Sequence, residues 1–473
     1  MPGAMPRGEW SPAWREATTS THCRLPSSDT CKPCWRHEAC PPMNRLWTWP
    51  AAVAILAGSL YLYYTEVKPV VIFGLRSDYA HAIPFQKVPA GLDSLKAESC
   101  GTCHREIYEE WKSSIHAKAY DDPFFQAYWK KDKNIWVCLN CHTPLENQQP
   151  TLITDIPRGR VEKAVQEPNP HYDKDYQREA ITCAACHVRD GVILGPFDDS
   201  AAPHPTKFDP NFRTAQVCYR CHNVVSGPAQ FYNVGPCGTY AEYEGQFFMK
   251  DKGLICQSCH MPEVERPVAT GGPIRPGRRH LWRGGHDPEM IKQAVAVHVQ
   301  SDPQDPKPGD ETRFTLTLIN AGAGHKIPTG DPDRHFTVEF TVQDGQGHEL
   351  ARQVDTMGRW ILWQPAIVEL YDNRLLPLAS REYRFTYRLP GQVAGPAGLT
   401  LKTRVRYHIL TDAQHRMLEQ DYGLTGRDPY VFTVYERDLP LTGELKTALA
   451  MPDPEARPAC AAPGAEASGK RAG

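Results

Sequence analysis

The chain lacks a charge bias. Its 473 residues carry 53 Lys and Arg against 55 Asp and Glu, a formal net charge of -2, so no broad basic surface argues for nucleic acid as a partner. Spare cysteines are also scarce. Of sixteen, ten fall in one recurring pentapeptide, and only Cys23, Cys31, Cys34, Cys40, Cys237 and Cys460 remain, which excludes reading the total as a disulfide framework. There is one long uncharged apolar run, Leu46 to Thr65, and no internal repeat of constant period.

What is there is Cys-x-x-Cys-His, five times: Cys100, Cys103 and His104; Cys138, Cys141 and His142; Cys183, Cys186 and His187; Cys218, Cys221 and His222; Cys256, Cys259 and His260. Two thiols one helical turn apart match the two vinyl groups of a haem, and the adjoining His is placed as an axial ligand to its iron. A single copy leaves a rival reading, a zinc or redox CxxC followed by a chance His. Chance would supply roughly 0.02 copies in a chain of this composition, so five copies point to five covalently bound haem c groups.

The first 42 residues, rich in Pro, Ser, Thr and Cys, read as disordered or not translated. Cys31, Cys34, His37 and Cys40 have the spacing of a small zinc site. Alternatively the chain starts at Met43, because Met43-Asn44-Arg45 before an apolar run is how an export signal opens. Residues 46–65 are long enough for a transmembrane anchor, with Trp47 and Trp49 at one end and Tyr61, Tyr63 and Tyr64 at the other as aromatic belts. A cleaved signal is the rival reading, since Ala57-Gly58-Ser59 offers small residues. Residues 66–95, with Pro69, Pro84 and Pro89, read as an extended stalk.

Residues 96–290 form the expected pentahaem domain, helical and irregular, with the cofactors supplying much of its apolar interior. The five motifs begin 38, 45, 35 and 38 residues apart. After the first, REIYEEWKSSIHAKAY places Ile107, Trp111 and Ile115 on one helical face, with His116 near its end. Twelve helical residues, about 18 Å, separate His116 from His104, far more than two ligands of one iron allow, so His116 would serve a different haem.

From residue 291 to 440 the pattern turns to alternation. Phe314, Leu316 and Leu318, then Phe336, Val338, Phe340 and Val342, then Leu401, Val405, Tyr407 and Ile409 each share one face. Short strands between Pro and Gly turns predict an all-β, immunoglobulin-like sandwich, followed by a disordered tail at 441–473.

Trp111-x-x-Ser114-x-His116-Ala117, CHTP after the second motif, ITCAACHVRDGVILGP around the third and CQSCHMP at the fifth resemble the multihaem cytochromes c of the hydroxylamine oxidoreductase-like superfamily. The pattern is closest to the superfamily's tetrahaem electron-acceptor cytochrome, and Gly322-Ala-Gly-His325-Lys-Ile-Pro-Thr-Gly330 is similar to a motif after the haem body of related proteins. The resemblance implies closely packed haems with mostly two His per iron, in carriers and enzymes alike. It singles out His116 as a sixth ligand. The superfamily's nitrite reductase has Lys at its catalytic motif, and no motif here ends in Lys.

Fourteen histidines lie outside the motifs. Candidate metal ligands among them, besides His116, are His204 in APHPTKF, His286 with His280 as its rival, His325 and His171. His286 and His325 sit beside glycines that permit close approach to a flat cofactor. His298, alternating with Val295, Val297 and Val299, belongs on the outer face of a strand. No residue is assigned a catalytic role.

The expected function is electron transfer by a membrane-anchored, periplasmic cytochrome of a respiratory chain, with redox proteins or the quinol pool as partners and no nucleic acid. The alternatives are an oxidoreductase with one open haem acting on a small nitrogen or sulfur compound, and a quinol dehydrogenase. The oligomeric state is open.

Overall fold

The computed structural model describes residues 45–63, 75–224, 237–246, 249, 251–362, 368–391, 398–425 and 429–441, with Leu445 and Leu449. The readings of residues 1–42, of 66–74 and of most of 441–473 lie outside these; the expected disordered tail is corrected at its start, where Leu441 and Leu445 are buried in the core of the β-rich part. Helix α1 (Arg45–Leu62) belongs to a separate compact unit. It covers most of the apolar run, yet it starts on Arg45 and contains Pro50. No helix among the described residues is long and apolar enough to cross a membrane.

In the second unit each pentapeptide lies on a short helix or at its end: α2 (Ala97–Gly101), α6 (Leu139–His142), α7 (Cys183–His187), α8 (Gln216–His222) and α9 (Cys256–His260). Between the first two lie α3 (Arg105–Ser113), α4 (Ile115–Lys118) and α5 (Pro123–Lys131). The expected single helix after the first motif is thus two. Ser114 adopts an extended backbone (ψ 162°), accepts the Ala117 amide at its Oγ and donates to the Trp111 carbonyl at 2.7 Å, ending one helix and capping the next.

The expected stalk is corrected for its described part, residues 75–95. Tyr79, Ile83, Gln86 and Leu95 are buried. The Ile83 amide donates to Pro144 and the Glu146 amide to Ile83, while Asn147 brackets Gln86 from both sides. Asn140 Nδ2 donates to the Tyr79 carbonyl. This segment is a belt laced onto the second motif, because a run of Pro that cannot form helix still satisfies its backbone against buried amide side chains.

The β-rich part follows: β1 (Val295–Asp302), β2 (Glu311–Asn320), β3 (His335–Gln343), β4 (Glu349–Met357), β5 (Arg359–Leu362), β6 (Val368–Asp372), β7 (Ser380–Arg388), β8 (Thr400–His408) and β9 (Val431–Pro440). One antiparallel sheet has the order β4-β3-β8-β9 and another β7-β2-β1, while β5 and β6 pair with each other. Phe314, Leu316 and Leu318 of one sheet and Phe336, Val338, Phe340, Leu401 and Val405 of the other bury in one common core. Their alternation places His298 outward, as expected. Helix α10 (Asp412–Tyr422), capped by Thr411, packs on α5 and joins the two parts of the unit. Tyr128 and Gln414, one on each helix, both donate to the Asp333 carboxylate.

Candidate functional site

A cavity of about 1800 Å³ runs through the described residues of the second unit. All ten cysteines and five histidines of the pentapeptides line it. It exceeds the roughly 300–1,000 Å³ of an ordinary ligand pocket. Its walls are mostly apolar, and its extent and lining suit large flat groups held by the motif residues. No group of three or more His, Cys, Asp or Glu among the described residues makes a metal cluster of the zinc kind.

The tautomers of four of the five motif histidines are set by their neighbours. Nδ1–H of His104 donates to Val268 O at 2.6 Å, that of His142 to Ala119 O at 2.6 Å, that of His187 to Leu194 O at 2.7 Å and that of His260 to Arg283 O at 2.5 Å. This leaves Nε2 free to face a metal, the orientation second-shell carbonyls impose on ligating imidazoles. Burial pushes His142 and His260 down to about 4, and it lowers His187 and His222 as well. They are held neutral, the form that ligates iron.

Four of the five are faced by a second imidazole. Ring centres are 6.4 Å apart for His104 and His204, 6.2 Å for His222 and His116, 6.3 Å for His187 and His280, and 6.4 Å for His260 and His325. A ligating nitrogen sits about 2 Å from its metal, so two imidazoles on opposite sides of one ion have centres ~6.3 Å apart. The spacing matches in all four pairs. His116 faces His222 and not His104, as its distance along the chain requires. Burial and the charges of His222 and His260 push His116 down to about 3.

His142 is the exception. Its ring stacks on Phe125 of α5 at 3.7 Å, and no second imidazole stands opposite it among the described residues. Only His22 and His37 lie outside those residues. His286 lines the cavity but faces Phe124 at 6.2 Å, with its Nε2 3.5 Å from Nη2 of Arg334. His171 does not line the cavity. It packs against Phe85 at 5.0 Å, its amide donating to Asn169 Oδ1. His280, weighed in the sequence only as a rival to His286, stands opposite His187 in its place.

Two buried charge networks hold the outer imidazoles. Arg266, 6% exposed, pairs with both oxygens of Glu110 at 2.7 Å, and Glu110 also accepts from Arg279 Nη1 and from the His280 amide at 2.9 Å. On the β side, Arg374 donates to Glu242 at 2.6 Å and to Asp372, Lys326 reaches Asp372 at 2.7 Å, and Thr329 donates to Glu242 at 2.7 Å. This rivets the Gly322–Gly330 loop, with His325, to the helical part. A Cβ on Gly322 would lie 2.0 Å from the Gln293 carbonyl, so only glycine lets the loop approach so closely.

The motifs abut one another. The sulfurs of Cys100 and Cys183, of Cys141 and Cys221, and of Cys218 and Cys256 are neighbours, and Cys186 lies within charge reach of Cys221. The first motif thus adjoins the third, and the fourth adjoins the second and the fifth, with the third within charge reach of the fourth.

Residues 99–188 match the family model described as cytochrome c554 and c-prime. Among solved structures the chain is similar to a penta-haem cytochrome c552 from Thermochromatium tepidum, at 19% identity and a TM-score of 0.52, covering 73% of this chain and 98% of that one. At that identity the likeness is one of fold. A β-glucuronidase from Bacteroides uniformis (6% identity, 30% and 13% covered, TM-score 0.17) and a sporulation control protein from Bacillus subtilis (13%, 24% and 42%, TM-score 0.13) match only fragments and carry no argument. No curated protein sequence matches the chain. The motif chemistry, the cavity and these likenesses together make the chain a multihaem c-type cytochrome with covalently bound haem c, suited to electron transfer.

Proposed function

We propose that the chain carries five haems and conducts electrons through four with two axial histidines each, while the fifth, on His142, keeps an open position. The observation that carries this reading is the count of facing imidazoles among the described residues: four pairs at 6.2–6.4 Å and one motif histidine, His142, with Phe125 against its ring. His104 with His204, His222 with His116, His187 with His280, and His260 with His325 would hold the irons. Haem c supplies an iron that cycles between two oxidation states, and His at both axial positions keeps its potential lower than a Met/His pair would.

The chain's own residues do the rest. Carbonyls of Val268, Ala119, Leu194 and Arg283 fix the imidazoles, and the abutting motifs set a route from the first through the third to the fourth, with the second and fifth as branches. A branch end with an open position favours the second reading of the sequence, an oxidoreductase acting on a small nitrogen or sulfur compound, with the other four haems as its conductors.

We read the β-rich part as an immunoglobulin-like sandwich that completes the His260 site through His325. Covalent attachment at CxxCH motifs supports an extracytoplasmic, periplasmic body in a respiratory chain. Redox proteins or the quinol pool are the partners proposed, with tethering through residues 46–65; fractionation with and without those residues tests the tether. Intact mass tests the haem count: five haem additions are expected, one lost per Cys-to-Ala motif variant, and four or fewer in the wild-type chain contradict it.

A further inference from the structure

Residues 280–283 serve three motifs within one short strap along the cavity. His280 stands opposite His187, and its Nδ1–H donates to the Arg278 carbonyl at 2.9 Å, which leaves Nε2 for a metal. The Arg283 carbonyl accepts from His260. Between them Trp282 lines the cavity and meets two imidazoles at once: its ring lies 4.7 Å from that of His116 and 5.0 Å from that of His280, the second edge-on at 89°.

The backbone at Trp282 is strained. Its φ of 41° lies in the left-handed region, which a bulky side chain rarely enters, and no other aromatic residue among the described residues has a positive φ. Such a conformation persists only where its surroundings hold it, and it marks sites where a side chain must be aimed. Around this turn His280 serves the third motif, the indole serves the fourth through His116, and the Arg283 carbonyl serves the fifth.

His116 depends on packing more than the motif histidines do. Its carbonyl accepts the Ile181 amide at 3.1 Å, so its backbone is anchored beside the third motif. Its ring, however, has no hydrogen bond among the described residues that would fix a tautomer or a plane, and Trp282 is the nearer of its two ring contacts. An anchored backbone leaves an imidazole free to turn about its side-chain torsions unless a neighbour packs on it.

We propose that Trp282 is a positioning residue shared by two irons: its ring fixes the planes of His116 and His280 and so couples the fourth-motif haem to the third. This rests on the reading of those two histidines as sixth ligands. The imidazole planes stand 39° apart in the pair of His116 with His222 and 33° apart in the pair of His280 with His187. Contacts behind a ligand set its orientation and tune the iron it holds, and both effects are read in the low-spin signal and the potential. No ring contact joins Trp282 to His104 or His204 among the described residues, so that pair is the internal reference.

The test uses the haem-loaded full chain, with electron paramagnetic resonance of the oxidised form and a redox titration. Loss of one low-spin signal in His116→Gly and of another in His280→Gly assigns the two. Trp282→Gly removes the ring and suits the backbone conformation; it should shift both assigned signals and both haem potentials together, while the signal of the His104 and His204 pair stays in place. Trp282→Phe, which returns a flat ring, should bring both signals back toward the wild type. Trp282→Leu, which keeps apolar volume without a flat ring, gives the same comparison where the glycine variant does not load its haems. Unchanged signals and potentials without the ring overturn the proposal, as does a change confined to one of the two irons or an equal change in the His104 and His204 pair. If His116→Gly and His280→Gly each leave every low-spin signal intact, the ligand reading itself fails, and this is seen before Trp282 is altered.

Discussion

Glu110 shows how much one side chain settles at this site. Burial works to raise its pKa, but the Arg266 guanidinium, the His280 amide and Arg279 hold it below the usual carboxylate range. Removing it leaves Arg266 buried without its partner, and breaking such a pair costs about 3–5 kcal/mol. Glu110→Ala should therefore lower the stability of the haem-loaded protein by that amount in denaturant unfolding. A second high-spin iron should appear as His280 leaves its place opposite His187. A variant that loses stability with unchanged spin states would show that Glu110 only braces the fold.

Residues of this kind also mark the limit of what the sequence discloses. The five motifs are local and legible, and His116, His204 and His325 carry local cues in their flanking residues. His171 looked similar, in a loop beside Asn169 and Pro170, yet the fold turns it onto Phe85. The choice between His280 and His286 is made by Glu110, 170 residues from His280, and no window of sequence contains that contact. Trp282 was illegible for the same reason, since its contact with His116 exists only through tertiary packing.

Among the elements, strands were easier to read than helices. Alternation in β1, β2, β3 and β8 sorts inner from outer residues because a pleat repeats every two positions, and the core confirms which face is inside. The helix after the first motif was read as continuous because its apolar spacing runs on through Ser114, while the hydroxyl that ends α3 and caps α4 leaves no mark in that spacing.

On β3, Glu339 faces Arg352 at 3.2 Å and Arg406 at 3.5 Å. Burial opposes ionisation, but the two guanidinium groups hold its pKa below the ordinary value. A carboxylate depressed in the folded state contributes stability above its unfolded pKa and loses it as pH falls through the folded value. Glu339→Gln should cost about 1–2 kcal/mol at neutral pH and flatten the acid limb of the stability profile below about pH 4. An equally steep acid limb in the variant would assign that limb to other groups.

The network that joins the β-rich part to the helical part belongs to the same scale. Arg374→Met removes the link from Glu242 to Asp372 and frees the loop that carries His325. Its expected signature is selective. The His260 haem should become partly high-spin or exchange His325 for an added ligand, while the other three pairs keep their low-spin signals. Uniform change across all the haems would mean general unfolding.

Across the second unit, the cavity and the motif residues that line it act as one structure. The described residues enclose about 1800 Å³ walled by fifteen motif residues, and the four imidazole pairs are already at the spacing an iron between them would impose. The chain without its haems should accordingly fail to hold a compact helical part. In limited proteolysis without haem, cleavage should fall first in residues 96–290. The β-rich part should survive longer, because it has its own packed core.

Four irons closed by paired histidines and one left open on His142 are told apart from five closed irons by electron paramagnetic resonance of the oxidised, fully loaded chain, with spins counted against haem. Four low-spin irons and one high-spin iron per chain are expected, with the high-spin signal removed by a variant of the second motif, Cys138→Ala with Cys141→Ala, and by no other motif variant. Five low-spin irons, or a high-spin signal that survives loss of the second motif, would contradict this.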